Sequence, residues 1–346
     1  MAIESISTWL VIENNMIKNL CKLAFVMALV VVTLGALTRL MDAGLGCPDW
    51  PGCYGQVIPP EHGTEIDNEV VHEGKAWMEM IHRYVATALG FIILIIAFKI
   101  QSDKTVSSNA RWLSRFLVLL VIVQGLFGMW TVTLKLLPQI VTLHLLGGFA
   151  VLSLLFLLIL LLGPAKSLST NKKPVNLAML VLILLSTQIA LGGWTSSNYA
   201  GLACTDFPTC DGQLLPPLDL EAAFHITEFS DRNYEGGLLE AETRVTIQYI
   251  HRIVALIVFT FLLILFVRLL KIPELRGHAT MLLGFTLLQV SLGIATAVMM
   301  LPLPLALAHN TGAALLLLEV IYINYVLSPN NQNVVIGSTT ATSYNS

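Results

Sequence analysis

The sequence predicts an all-α membrane protein. Eight transmembrane helices are expected, arranged as two pseudo-twofold-related four-helix bundles with the N and C termini cytoplasmic. Three observations carry this expectation: an apolar composition, eight apolar stretches of bilayer length, and an internal repeat that divides those stretches four and four. Of the 346 residues, 55% are hydrophobic and 12% are charged, and mean hydropathy is +0.76. A soluble domain carries about a quarter charged residues, so an ordinary cytosolic enzyme is excluded. The 19 basic and 22 acidic residues leave a net charge of −3, which gives no reason to expect a nucleic-acid partner.

A helix needs about 20 apolar residues to cross the hydrocarbon core. Lipid offers no partner to an unpaired backbone group, so each span must be helical. The stretches fall at about 20–40, 77–98, 112–136, 138–162, 174–196, 245–270, 278–301 and 303–327. Spans 3 and 4 meet at Pro138, and spans 7 and 8 at Pro302 and Pro304. Proline at a helix start costs no hydrogen bond, so these positions mark helix beginnings.

Basic residues set the orientation. Lys18, Lys22, Lys99, Lys104, Arg111, Arg115, Lys166, Lys172, Lys173, Arg268, Lys271 and Arg276 place 12 of the 19 on one side, which the positive-inside rule makes cytoplasmic. The outer connections, 41–76 and 197–244, hold most of the acids, among them Glu61, Glu65, Asp67, Glu69, Glu73, Asp219, Glu221, Glu228, Asp231 and Glu235. The expected organisation is a cytoplasmic segment 1–19, a first four-helix half 20–162 and a second half 174–327. The polar tail 328–346 is expected to be cytoplasmic and disordered. Residues 1–17 hold Glu4 and Glu13 and lack the character of a transit peptide. A bacterial inner membrane is the default location.

The repeat is visible residue by residue. GLGCPDWPGCYGQVIPP at 44–60 matches GLACTDFPTCDGQLLPP at 201–217, an offset of 157. Ile81-His82-Arg83 recurs as Ile250-His251-Arg252. Gln124, Gly128, Thr131 and His144 recur as Gln289, Gly293, Thr296 and His309, an offset of 165. Four spans per half give both halves the same orientation, so the pseudo-twofold axis lies along the membrane normal.

Of eight histidines, His62, His72 and His225 fall in outer connections and His278 at the cytoplasmic start of span 7, where a solvated side chain suffices. His82, His144, His251 and His309 lie inside even-numbered spans, five to seven residues after each expected start. Strongly polar residues in a span are costly and mark functional sites by default. Zinc would want three or four ligands and a nearby carboxylate or thiolate. Haem wants one or two axial ligands and apolar walls, so one haem site per half fits best. Arg83 and Arg252 directly follow two of these histidines and suit haem propionates; snorkelling to the outer interface is the plainer role.

The halves differ at one position. Glu79 precedes His82 by three residues, so both share a face of span 2, and its counterpart is Gln248. The first half therefore reads as reactive and the second as a supporting electron-transfer site, although Glu79 also suits a cap on span 2. Glu319 lies deep in span 8 without a repeat partner or a sequence-based account. Cys47/Cys53 and Cys204/Cys210 form two CxxxxxC pairs in oxidising outer loops, suited to disulfide staples or to redox exchange. Cys21 reads as an inert thiol on the cytoplasmic side.

The double four-helix repeat, the GLGCPDWPGC outer loop, the Glu79-Met80-Ile81-His82-Arg83 segment and the four histidines resemble the haem A synthase family, over nearly all of 20–327. The family is similar in fold and oxidises a ring methyl of haem O to a formyl group, giving haem A for terminal oxidases. The resemblance implies that His82 and His144 hold the iron of the substrate haem, and that His251 and His309 hold the iron of a haem b cofactor. It also implies Glu79 as the catalytic carboxylate and Cys47/Cys53 as the first-loop pair. The expected partners are haem O, membrane lipid, an electron acceptor the sequence does not name, a haem O synthase and a second copy of the chain. The second outer connection is longer than the resemblance leads one to expect. Competing readings are a di-haem cytochrome b that only carries electrons, which leaves the Glu79/Gln248 difference unexplained, and a membrane thiol oxidase, which leaves the histidines unexplained.

Overall fold

The computed structural model describes residues 2–66, 69–164, 168, 173–225 and 232–328; the side chains of 2–14 and 69 are outside that description. The expected disordered tail, apart from Ser328, lies outside the described residues, as do Asp67, Lys166, Lys172, Glu228 and Asp231. Eight helices are long and apolar enough to cross a membrane. They are α1 (Ala2–Leu40), α2 (Glu73–Ser102), α3 (Ser108–Thr133), α4 (Pro138–Leu161), α5 (Val175–Ser197), α6 (Ala241–Leu269), α7 (Arg276–Val298) and α8 (Leu303–Leu327). The remaining regular structure described is a two-stranded hairpin (Glu65–Ile66 with Glu69–Val70), two 3-10 turns and a one-turn helix at Leu220–Ala223.

Hydropathy locates the apolar part of a helix, not its end, and the differences follow from that. α1 begins at Ala2, far ahead of its apolar stretch. α2 and α6 begin at Glu73 and Ala241, about a turn before 77 and 245, because their first turns carry Glu73, Lys75, Glu242 and Arg244. His82 and His251 consequently sit nine and ten residues into their helices, against six for His144 and His309. Pro138 and Pro304 occupy first-turn positions, as the sequence led us to expect.

Helices α1 to α4 pack in cyclic order, with α1 against α4 closing the ring; α5 to α8 do the same. The two rings meet where α4 packs against α5 and α8, and α1 against α8. The halves repeat an uncommon backbone conformation. Eight described non-glycine residues have positive φ, and they form four repeat pairs: Asp42 with Tyr199, Tyr54 with Asp211, Lys135 with Met300, and Leu136 with Leu301. Two consecutive left-handed residues are costly for side-chain-bearing amino acids. Both tight turns recover a backbone bond, Leu136 N–H to Thr131 O and Leu301 N–H to Thr296 O, each 2.8 Å.

Three contacts join residues separated by the repeat offset itself. Arg39 Nη2 donates to Ser196 O at 2.5 Å, and Tyr199 Oη donates to Asp42 Oδ1 at 2.9 Å. Tyr325 Oη donates to Leu160 O at 3.0 Å. The long second outer connection also reaches the first half: Tyr234 N–H donates to Lys135 O at 3.0 Å, and Glu235 lies 3.5 Å from Lys75 Nζ.

The large apolar core fills one end of the rings, with Leu89, Leu117, Leu152, Leu185, Leu265 and Leu317 among its members. Two small clusters close the other end: Cys47, Cys53, Ala76 and Met80 in the first half, and Ala200, Ala223 and Ile247 in the second. Between them, 29–37, 81–88, 118–131 and 143–148 contain no buried residue, and neither do 249–257, 287–295 and 307–313. The four intramembrane histidines all lie in this layer.

Candidate functional site

Each of the four histidines rests against a glycine on the preceding helix. A Cβ on Gly35 would stand 3.0 Å from His82 Cε1, one on Gly128 3.4 Å from His144 Cε1, one on Gly192 3.3 Å from His251 Cε1, and one on Gly293 2.8 Å from His309 Cε1. Hydrogen at these positions lets the ring lie against the neighbouring backbone; a methyl would press on the ring at Gly293 and Gly35 and would only touch it at Gly128. His82 and His144 face each other with ring centroids 6.4 Å apart. Two imidazoles sharing one metal ion, each at a bond of about 2 Å, hold their ring centres roughly 6 Å apart.

Glutamines support the arrangement one turn before three of these glycines. Gln289 Nε2 donates to His309 O at 2.9 Å, and Gln188 Nε2 to His251 O at 3.1 Å. Gln124 packs against Gly147, so closely that no Cβ would fit there. Buried polar atoms without a hydrogen-bond partner gather at the same level and include Nδ1 of His82, His144 and His309 and Oε1 of Gln124, Gln188 and Gln289. Among the described residues no three or more His, Cys, Asp or Glu side chains converge as a metal site. A pair of imidazoles without a third donor suits a planar macrocycle that supplies the other ligands itself.

The α1–α2 and α5–α6 connections sit over this layer as two matching lids. The cysteines form disulfides, Cys47–Cys53 and Cys204–Cys210, with Cα atoms 4.7 and 4.8 Å apart. Asp49 accepts from Tyr54 and Gly55 N–H at 2.6 and 2.8 Å; Asp206 accepts from Asp211 and Gly212 N–H at 2.7 and 2.9 Å. The Thr209 hydroxyl, followed by the Gly212 amide, holds the Asp206 carboxyl down to about 2. Glu79 and Gln248, both buried, reach from the helices into these lids. Glu79 Oε2 accepts from Cys47 N–H at 2.9 Å, and Oε1 pairs with Arg83 Nη2 at 2.5 Å. Gln248 Oε1 accepts from Cys204 N–H, while its amide donates to Gly201 O and Cys204 O at 3.0 and 3.3 Å.

Residues 18–321 match the family described as COX15-CtaA, cytochrome oxidase assembly protein. This chain belongs to the COX15-CtaA family. Heme A synthase from Shewanella oneidensis is 46% identical over 319 residues, covering 89% of this chain and 96% of the relative. Heme A synthase from Nitrosospira multiformis is 28% identical, over 89% and 91%, and that from a Wolbachia pipientis strain of Culex pipiens 27%, over 84% and 90%.

In this COX15-CtaA protein the arginines expected at propionates are bound to the lids. Arg83 Nη1 donates to Gly52 O at 2.6 Å and to Asp49 O at 3.1 Å, besides the Glu79 contact. Arg252 donates to Asp206, Thr209 and Cys204 carbonyls at 2.8, 2.9 and 2.7 Å. Each thus locks a lid directly above a histidine. Glu319 also finds its account, from a residue set aside as solvated. Its Oε1 lies 3.0 Å from His278 Nδ1, and the His278 ring stacks on Tyr322 at 4.2 Å. That cluster ties α7 to α8 at the end away from the lids. His62 and His72 neighbour each other in the first loop, with ring centres 6.4 Å apart, remote from the four. Cys21 is a buried free thiol, as expected.

Gly35, Gly192 and Gln188 were missed by sequence reading. The signal was available: Gln188 and Gly192 have the spacing of Gln124 and Gly128, and Gly192 lies 157 residues after Gly35. Val31 stands where the fourth glutamine would be, which hides the pattern.

Proposed function

We propose that this chain is a haem A synthase that oxidises a ring methyl of haem O in its first half, with a haem b in its second. The observation that carries the reading is the repeated pair of glycine-cradled imidazoles beneath a lid, with a carboxylate in one lid and an amide in the other. His82 and His144 hold the iron of the substrate haem; His251 and His309 would hold that of haem b. A bound haem b supplies a one-electron iron couple. Arg83 and Arg252, held against the lids, would supply positive charge to the propionates of the haems. The three contacts at the repeat offsets support a pseudo-twofold axis between α1 and α5 at the lid end and between α4 and α8 at the other. The basic residues support cytoplasmic termini in a bacterial inner membrane.

Two successive two-electron oxidations, each passing its electrons to the external acceptor and adding a hydroxyl from water with release of two protons, convert the methyl to a hydrated aldehyde, which loses water to leave the formyl group. As electrons leave, positive charge builds on the methyl carbon. Glu79 stabilises that charge and takes a released proton at a carboxylate oxygen. Cys47 N–H and Arg83 fix where its two oxygens stand. Gln248 in the second lid has no comparable proton acceptor, so the chemistry belongs to the first half. The disulfides hold the lids in place over the two histidine pairs.

Expression of the full chain beside a haem O-producing partner, with chromatography of the extracted haems, tests the reading. Haem A is expected from the wild type, and haem O and haem b without haem A from Glu79→Gln. Haem b alone would identify an electron carrier, and colourless purified protein would remove haem altogether.

A further inference from the structure

Arg39 is absent from the mechanism above, yet it occupies a singular place. It closes α1 one turn beyond Gly35, the glycine that cradles His82. Residues four apart share a helix face, so Arg39 stands about 6 Å further toward the lid on the wall of the first site. Its Nη2 donates to Ser196 O at 2.5 Å. Ser196 stands one turn beyond Gly192, the glycine that cradles His251. One guanidinium therefore touches the walls of both sites.

The surroundings fix that guanidinium firmly. Its Cζ lies 3.9 Å above the Tyr199 ring. Nη1 pairs with Asp42 Oδ1 at 3.2 Å, and the same oxygen accepts from Tyr199 Oη at 2.9 Å. Burial raises the Tyr199 phenol, which keeps it a donor to Asp42. Exposure separates the two charges: the Arg39 side chain is 17% accessible and that of Asp42 48%. Water screens the carboxylate far more than the guanidinium, so the pair leaves a net positive field on the protein side. The repeat sharpens the point. The counterpart of Arg39 is Ser196 and that of Asp42 is Tyr199, so the second half supplies neither charge. Arg83 and Arg252 each bind the lid of their own half.

We propose that Arg39 is a positioning residue common to both haem sites, a partly buried positive charge on their shared wall that favours the reduced iron on either side. This rests on the reading that the two histidine pairs hold haem. A cation near an iron lowers the free energy of the less positive, reduced state and so raises the reduction potential.

Potentiometric titration of the full chain, purified with the haem it carries, tests this. In Arg39→Gln the oxidised-to-reduced ratio of both haems at a fixed potential rises roughly tenfold, a drop of about 59 mV for a one-electron couple. The haem-to-protein ratio and the Soret position stay as in wild type. Arg39→Lys keeps the charge without the forked contacts and shifts the ratio much less. Asp42→Asn, which leaves the cation uncompensated, moves both potentials the other way. Arg252→Gln moves one haem only. Unmoved potentials in Arg39→Gln, or equal shifts in the Gln and Lys variants, reduce Arg39 to a mechanical staple and overturn the proposal. If Arg39→Gln does not retain haem, Asp42→Asn decides: a rise in both potentials supports the proposal and no change overturns it. Wild-type protein without haem removes the haem reading and this inference together. Haem-bearing protein with unmoved potentials removes this inference alone.

Discussion

The two lids are nearly the same object with one functional group exchanged. Each has a disulfide, an aspartate collecting two amides, and an arginine gripping loop carbonyls above a histidine. In the second lid the Gln248 amide both accepts and donates, and it satisfies two carbonyls, leaving both nitrogens of Arg252 for the loop. In the first, Glu79 only accepts, and Arg83 turns one nitrogen from the loop to meet it. A buried carboxylate is expensive where an amide would close the network more cheaply. That the first lid carries this cost, where the second closes with an amide, supports the proposal that the chemistry belongs to the first half.

The comparison can be broken in graded steps. Glu79→Gln makes the first lid like the second, and formyl production is expected to fall 100-fold or more with both haems retained; haem extraction reads it. The reverse change, Gln248→Glu, turns a carboxylate toward the Gly201 and Cys204 carbonyls with Arg252 already engaged. A loss of about 3 kcal/mol is expected, seen as a lowered midpoint of thermal unfolding, with no gain of activity. Opening either disulfide, by Cys53→Ser or Cys210→Ser, should cost about 2 kcal/mol and the same in each half, since the loops have equal separations of 6 residues. Unequal losses would mean that the lids carry different loads. The smallest step concerns the cradles. Gly293→Ala puts a methyl 2.8 Å from the His309 ring and should lower haem retention in the second half about tenfold, whereas Gly128→Ala, at 3.4 Å, should leave the first half nearly unchanged. Pyridine haemochrome assays on the purified variants distinguish them.

Much of this architecture is written locally. Eight apolar runs fix eight helices, prolines 138 and 304 mark two helix starts, and the CxxxxxC spacing matches two closed loops. The four histidines stand out because polarity inside an apolar run is rare. What was not legible depends on helix rotation and on distant partners. His278 and Glu319 lie 41 residues apart and meet because α7 and α8 turn those faces together. The lid carbonyls that occupy Arg83 come from 31 and 34 residues upstream, and no local pattern announces them. Helix ends at Glu73 and Ala241 escaped because polar first turns carry no hydropathy signal.

The contacts at the repeat offset say something about history. In an assembly of two identical chains, a residue on the symmetry axis meets its own twin, so an ancestral arginine at the place of Arg39 would have faced another arginine. Like charges in such proximity repel, and no symmetric substitution keeps just one of them. Two related but unequal halves escape that restriction, and Arg39 set against Ser196, like Glu79 with its counterpart Gln248, is an inequality that a pair of identical chains could not hold.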